Sequence, residues 1–156
     1  LRAIGWSDNL GPARCRGEAR RRPIPGRAGG LSVVVAHTFT GTVHQDPVIT
    51  DQDDVKINTV IFTPCSRTYW HFHDQGQILQ VFRGKGYVTG KDGVPRVITE
   101  GDTVWIEPGE RHWHGGTQDS LMGHTAITLG GTTWLEEVSE ADYAAAAVTT
   151  SASAPS

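Results

Sequence analysis

From residue 31 onward, short runs rich in Val, Ile, Thr, Tyr and Phe recur, each bounded by Gly, Pro or Asp. Within one such run, residues 55–59 alternate between apolar and polar side chains, as expected for a half-buried strand. Residues 90–93 carry the Asp-Gly pair of a tight hairpin turn. Many short strands with closely spaced turns indicate an all-β sandwich or barrel. The predicted strands cover 31–36, 55–63, 68–73, 77–83, 86–90, 94–99, 103–107, 111–115 and 122–129.

The two ends of the chain differ from this β-rich region. Residues 1–30 are rich in Gly, Pro, Arg and Ala without an apolar period, which predicts a disordered leader. Residues 31–143 are predicted to form one domain, an ordinary length for a single core. Ser139 can cap a short C-terminal helix. Residues 144–156 are rich in Ala, Ser and Thr and predict a flexible tail.

Charge and cysteine usage restrict the class of partner. Residues 1–30 hold seven arginines and two acidic residues, whereas acids outnumber bases in the rest of the chain. An acidic body argues against nucleic acid as a partner. No apolar run approaches the ~20 residues that cross a bilayer, so no membrane partner is expected. Two cysteines, Cys15 and Cys65, cannot build a disulfide framework, which favours the reducing cytoplasm.

Two histidines in one predicted strand stand two residues apart. Because positions i and i+2 of a strand face the same side, His71 and His73 direct their rings to one point. Gln77 follows a short turn that would fold it back beside the pair, where its carbonyl oxygen is a third potential ligand. Taken alone, the pair fits an exposed strand face at least as well as a metal site.

A second segment, residues 101–112, favours the metal site. It reads as turn, strand, turn, strand, and its final residue, His112, enters a strand after a Pro-Gly turn. Together the two segments resemble the two motifs of the cupin superfamily. The matching residues are His71, His73, Gln77 and Gly84 in the first motif, and Gly101, Pro108, Gly109 and His112 in the second. The resemblance implies a single-domain cupin jelly-roll β-barrel with a metal ion inside.

The chain departs from the two cupin motifs at three positions. Cys65 occupies the place of a leading glycine, and Gln77 replaces the usual glutamate. One additional residue separates Gly101 from Pro108. None of these departures removes a histidine ligand.

The residues around the motifs narrow the resemblance. Residues 70–77, 109–115, 122–127 and 134–143 look like the small cupins that include the manganese-dependent bacterial hydroxynitrile lyases. That resemblance implies a proton-transfer role for His124 and a homodimer or higher homo-oligomer. The ligands it implies for the metal ion are His71, His73, Gln77 and His112.

The chemistry of Gln77 supports a lyase independently of the resemblance. Three neutral imidazoles and a neutral amide leave a divalent ion with its full +2 charge, whereas a glutamate would reduce it. A more positive ion binds anions more tightly and lowers the pKa of a bound alcohol. Mixed nitrogen and oxygen ligands with open positions fit Mn²⁺ or Fe²⁺, with Ni²⁺ and Zn²⁺ as further alternatives. Among these, the resemblance implies one Mn²⁺ ion.

The remaining candidate residues belong to the reaction and to the substrate pocket. His124 lies on a late strand, where it is either the general base or a core histidine that orients a ligand. His114 stands two residues after His112 and should also point inward. Val60, Phe62 and Trp113 are assigned to the same pocket.

Four functions remain open from the sequence. The leading one is a metal-dependent carbon–carbon lyase acting on a small 2-hydroxy or carbonyl compound, with cyanohydrin cleavage as the implied activity. An Fe²⁺-dependent dioxygenase would use the same ligands but would consume oxygen. An isomerase acting on uronate-like sugars would need an open polar pocket. A non-catalytic binding domain would hold a small molecule without turnover.

Overall fold

A computed structural model describes residues 30–33 and 37–152 of the chain, with side chains through residue 148. The leader predicted over 1–30 lies outside the described residues except for Gly30, and so does the end of the predicted tail beyond residue 152. In chain order the elements are β1 Ser32–Val33, β2 Phe39–Thr40, β3 Val43–Gln52, β4 Val55–Phe62, β5 Arg67–Thr68, β6 His71–His73, β7 Gln77–Thr89, β8 Pro95–Thr99, β9 Thr103–Ile106, β10 Trp113–Gly116, β11 Met122–Leu129, β12 Thr132–Trp134 and α1 Glu140–Ala152.

The strands form one large antiparallel sheet that curls into a half-barrel. Its strand order is β1-β3-β4-β11-β7-β10-β5-β2, and β8 and β9 both pair with the long strand β7. The short strands β6 and β12 form a separate antiparallel pair. The all-β architecture with one C-terminal helix is therefore confirmed. No helix among the described residues is long and apolar enough to cross a membrane.

Glycines and a proline explain where the strands differ from the prediction. The strands predicted over 77–83 and 86–90 are the single strand β7, which contains Gly84 and Gly86. A Cβ at Gly84 would meet the backbone of Leu121, so this glycine serves close packing rather than chain reversal. The strand β3 has no strand signal in the sequence, because it is polar and contains Pro47, after which its register with β4 shifts.

Buried apolar residues form two clusters on opposite sides of the sheet. The first, here called the barrel core, lies inside the curl and includes Phe62, Leu79 and Met122. The second, here called the helix-side cluster, packs the outer face against α1. Its members are Trp70, Tyr87, Trp113, Val138, Tyr143 and Ala146.

The helix α1 begins where the sequence predicts but ends later. Ser139 caps it, since the Asp142 backbone N–H donates to the Ser139 hydroxyl at 3.0 Å. The helix continues through Ala152, so residues 144–152 of the predicted flexible tail are helical. Alanine favours helix, and the burial of Tyr143 and Ala146 holds the first turns against the sheet. The buried guanidinium of Arg67 donates to the Val138 carbonyl and thereby fastens the start of the helix.

Candidate metal centre

Three histidines from two separate parts of the chain meet inside the half-barrel. His71 and His73 lie on β6, and His112 lies directly before β10. The backbones of His71 and His112 exchange two hydrogen bonds, of 3.0 and 2.9 Å, and so form an antiparallel bridge. One ring nitrogen from each of the three histidines lies within 4.8 Å of the others, and all three side chains are buried. This cluster has the composition and spacing to hold a divalent metal ion.

Hydrogen bonds to Nδ1 fix the orientation of the three rings. His71 Nδ1 lies 2.9 Å from the Tyr69 carbonyl, and His112 Nδ1 lies 2.8 Å from the Glu110 carbonyl. Because a carbonyl only accepts, both Nδ1 atoms carry the proton and both Nε2 atoms keep a lone pair. His73 Nδ1 contacts the Thr132 hydroxyl at 2.9 Å, and its Nε2 is buried without a hydrogen-bond partner among the described residues. This is the pattern of histidines that bind a metal through Nε2.

Gln77, the first residue of β7, directs its carbonyl oxygen toward the histidines. Its Nε2 donates to the Thr128 hydroxyl at 2.8 Å, which leaves Oε1 3.4 Å from Nε2 of His112. Since His112 carries its proton on Nδ1, both atoms of this contact offer lone pairs. Two facing lone pairs repel each other, and a cation between them relieves that repulsion. The donor set therefore fits a metal ion with Gln77 as the fourth protein ligand.

Burial keeps the three clustered histidines neutral near pH 7. Desolvation lowers the pKa of His73 and of His112 to about 4. Desolvation, followed by the nearby His112, lowers the pKa of His71 well below its ordinary value. Neutral imidazoles offer the lone pairs that metal ligation needs, so the cluster is ready to bind an ion without first losing protons.

Two further histidines stand beside the cluster. His114 and His124 are buried, with ring centroids 4.9 Å apart, and both ring centroids are 5.6 Å from that of Phe62. All four of their ring nitrogens lack a hydrogen-bond partner among the described residues. Burial lowers the pKa of His124 to about 4, so this ring is also neutral. Buried polar atoms without protein partners indicate a place where a ligand makes the missing hydrogen bonds.

A cavity of about 90 Å³ opens beside these histidines. Val60, Phe62 and His114, which the sequence assigns to the substrate pocket, all line this cavity. Further lining residues are Phe39, Gln45, Lys56, Asn58, Thr68, His71, His73, Gln77, His124, Ala126, Thr128, Thr132 and Trp134.

Trp113 lies elsewhere and corrects the predicted pocket. It is almost fully buried in the helix-side cluster, with its ring centroid 6.4 Å from that of Trp70. The reason is strand alternation: His112 and His114 point into the half-barrel, so the residue between them points out.

Lys56 and Asn58 line the cavity, although no sequence motif includes either residue. A half-buried strand usually turns its apolar side chains inward, yet Lys56 and Asn58 share the inward face of β4 with Val60 and Phe62. Counting back in steps of two from Phe62 would have identified them. The usual inside–outside rule is inverted here because the interior of this sheet encloses a polar cavity.

Comparison with known proteins identifies a family and several similar proteins for this chain. The profile of the cupin domain matches residues 58–126. An (R)-mandelonitrile lyase from Granulicella tundricola is 40% identical over 114 residues, which cover 69% of this chain and 87% of that protein. A cupin-like protein from Thermotoga maritima is 36% identical with a TM-score of 0.71, covering 74% of this chain and 92% of that one.

A more distant solved structure shares the fold alone. A polyketide cyclase from Streptomyces resistomycificus has a TM-score of 0.59 at 16% identity and covers 72% of this chain and 84% of its own. Together with the Thermotoga maritima protein, this structure confirms the jelly-roll β-barrel that the resemblance to the cupin motifs implies.

Proposed function

The chain belongs to the cupin superfamily and resembles the bacterial hydroxynitrile lyases, and on that premise we propose that it is a metal-dependent carbon–carbon lyase. Its substrate would be a small 2-hydroxy compound whose carbon–carbon bond breaks beside the hydroxyl, as in a cyanohydrin. One observation carries the proposal: three neutral histidines and an amide oxygen converge on one point beside two buried histidines whose ring nitrogens have no hydrogen-bond partner among the described residues. The relative named as a mandelonitrile lyase supports the same reaction class.

The proposed ligands are all neutral, and this favours lyase chemistry. His71, His73 and His112 would bind the ion through Nε2, and Gln77 through its carbonyl oxygen. Mn²⁺ is the ion proposed, because mixed nitrogen and oxygen ligands suit it. When bound, a divalent ion with no anionic ligand supplies strong stabilisation of negative charge on a substrate oxygen. The protein contributes the orientation of the rings through Tyr69 and Glu110, whose carbonyls fix the tautomers.

His124 is the proposed proton carrier. As a neutral ring it would accept the hydroxyl proton of the cyanohydrin, while the oxygen becomes a carbonyl and the bond to the nitrile carbon breaks. The electron pair of that bond leaves with cyanide. His124 would then return the proton to cyanide, so that an aldehyde and hydrogen cyanide leave and His124 is neutral again. His114, next to it, has ring nitrogens free for a hydrogen bond to the departing group.

The walls of the cavity would protect this proton transfer. Val60 and Phe62 line the space beside His124, and Phe62 is fully buried. An apolar wall excludes water, which strengthens the electrostatic effect of the histidines on the substrate. The small cavity also limits the size of the substrate that can enter near His124.

The proposal is tested by cleavage of racemic mandelonitrile without oxygen. Protein loaded with Mn²⁺ should release benzaldehyde, and His71→Ala should lower that rate by about 100-fold or more because a metal ligand is lost. His124→Gln should keep the metal but lose the turnover. Lys91→Met, in the exposed hairpin turn, is the control and should behave as the native protein.

Two outcomes would contradict the lyase. If native protein with about one metal ion per chain releases no more benzaldehyde than His71→Ala, the carbon–carbon cleavage is rejected. If the same protein loaded with Fe²⁺ instead consumes oxygen with a small diketone or catechol, the dioxygenase takes its place.

A further inference from the structure

The cavity contains one charged side chain and no acid to balance it. Among the described residues that line it, Lys56 is the only one with a formal charge, and neither aspartate nor glutamate is present. The histidines in the wall are neutral, because burial lowers the pKa of each of them. The space is therefore positive even before a divalent ion adds its charge. A positive cavity without a carboxylate favours an anionic occupant.

Strand register places Lys56 level with the proposed ligand Gln77. Lys56 on β4 pairs with Thr128 on β11, and Thr128 pairs in turn with Gln77 on β7. Neighbouring strands are about 4.8 Å apart, so the Cα atoms of Lys56 and Gln77 are separated by about 10 Å. The flexible four-carbon stem of lysine can carry its ammonium across part of that distance.

The Lys56 ammonium keeps donors available. Its Nζ donates to the Gly130 carbonyl at 3.2 Å, which uses one of three N–H groups. No carboxylate lies within 4.0 Å of it in the part of the chain that the structure describes. The side chain is only half-buried, so the ammonium can turn toward a ligand at the cavity mouth.

Asn58 lies two residues after Lys56 on β4 and also lines the cavity. It faces the same side of β4 as Lys56, and its neighbours across the sheet are Ala126 on β11 and Pro47 on β3. The small alanine leaves space above the amide. The Asn58 side chain lines the cavity, where the N–H groups of its amide can donate to a ligand.

We propose that Lys56 and Asn58 bind the carboxylate of the substrate, which makes the substrate class a small 2-hydroxy or 2-oxo carboxylate. This inference rests on the proposed function, since the hydroxyl or carbonyl oxygen goes to the metal centre while the carboxylate pairs with Lys56. Asn58 supplies a second donor to the same carboxylate. The cavity of about 90 Å³ agrees with a substrate of few atoms.

The test compares two probes that differ only in charge. Calorimetric titration of the Mn²⁺-loaded protein with glycolate and with glycolamide should give at least tenfold tighter binding of glycolate. Lys56→Met should weaken glycolate binding at least tenfold and leave glycolamide within twofold, because a charge-assisted pair is lost. Lys56→Arg keeps the charge and should retain the preference for glycolate. Lys91→Met removes the same charge outside the cavity and is the matched control.

A titration without metal separates the lysine from the ion. A carboxylate can also bind the ion itself, so the loss caused by Lys56→Met should persist in metal-free protein. Glycolate that binds equally well to native protein and Lys56→Met, with or without metal, would overturn the inference. If Lys56→Met does not fold, native protein that fails to distinguish glycolate from glycolamide gives the same negative result.

The two proposals fail separately. Binding of glycolate through Lys56 by a protein that cleaves no mandelonitrile would reject the lyase and leave the carboxylate site. Cleavage of mandelonitrile without any preference for glycolate over glycolamide would reject the carboxylate site and leave the lyase.

Discussion

The two sides of β10 differ in how their buried polar atoms are satisfied. On the helix side, the Tyr143 hydroxyl donates to the Gly116 carbonyl at 2.7 Å and the Tyr87 hydroxyl donates to Gln118 at 2.9 Å. On the cavity side, five ring nitrogens of His73, His114 and His124 have no hydrogen-bond partner among the described residues, whereas on the helix side the Thr89 hydroxyl, beside Trp113, is the one such buried atom. A protein completes hydrogen bonds where it needs stability alone. The contrast indicates that the helix side maintains the fold, while the cavity side holds its polar atoms ready for a ligand.

The largest expected effect on stability comes from the helix side. Trp113→Ala removes a fully buried ring from the helix-side cluster and should lower the free energy of unfolding by about 3–5 kcal/mol, measured by urea denaturation. The folded fraction should still bind about one metal ion per chain. His124→Leu, on the cavity side, should cost much less, because it replaces unpaired polar atoms with apolar ones. A larger loss for His124→Leu than for Trp113→Ala would contradict the division between the two sides.

An intermediate effect is expected at Thr132, the hydrogen-bond partner of the proposed metal ligand His73. Thr132→Val removes the hydroxyl that contacts His73 Nδ1 and should weaken metal binding by about 10–100-fold, with little change in stability. Competition with a chelator of known affinity measures it. Thr133→Val, at the neighbouring exposed position of β12, is the control and should bind metal as the native protein does. Equal affinities for the two variants would show that Thr132 does not orient the ring.

The smallest effect is the dependence of the free energy of unfolding on pH, and it again distinguishes the cavity side from the helix side. Burial lowers the pKa of His73, His112 and His124 to about 4, while unfolded histidine titrates near 6.5. Between these values the unfolded chain binds more protons, so the metal-free protein loses stability as pH falls below about 7, and the slope flattens below about 4. Each such histidine should contribute roughly 0.7 kcal/mol between pH 7 and pH 6.

Variants from both sides check this acid effect. His124→Leu should reduce the difference in unfolding free energy between pH 7 and pH 6 by about one such contribution. Trp113→Phe, on the helix side, should leave the difference unchanged. The same pH dependence in His124→Leu as in native protein would mean that His124 titrates alike in both states.

Local patterns in the sequence predict the ligands better than the pocket. The histidines follow from two short motifs and from strand alternation, and the structure brings His71, His73 and His112 together as those patterns require. Strand pairing across the sheet is a long-range property that such patterns do not contain. Thr132 is an example, because it meets His73 only through the pairing of β6 with β12.

The polar wall of the cavity shows a second limit of sequence interpretation. A lysine and an asparagine between apolar residues are expected to face water. Lys56 and Asn58 instead face the cavity, because the sheet curls around a polar space. The signal in the sequence is their spacing, because Lys56, Asn58, Val60 and Phe62 follow one another in steps of two and so share one face of β4. That spacing is useful only when one of these four residues is already known to face the cavity.

The position of the histidines along the chain has a consequence for metal supply. The unfolded chain offers only separate pairs of neighbouring histidines, His71 with His73 and His112 with His114. His112 joins His71 and His73 only after the segments that carry them have been brought side by side. An ion therefore binds the folded chain far more tightly than the unfolded one, and by mass action its free concentration shifts the folding equilibrium. In a metal-poor environment the fraction of folded molecules would become a measure of the ion that is available.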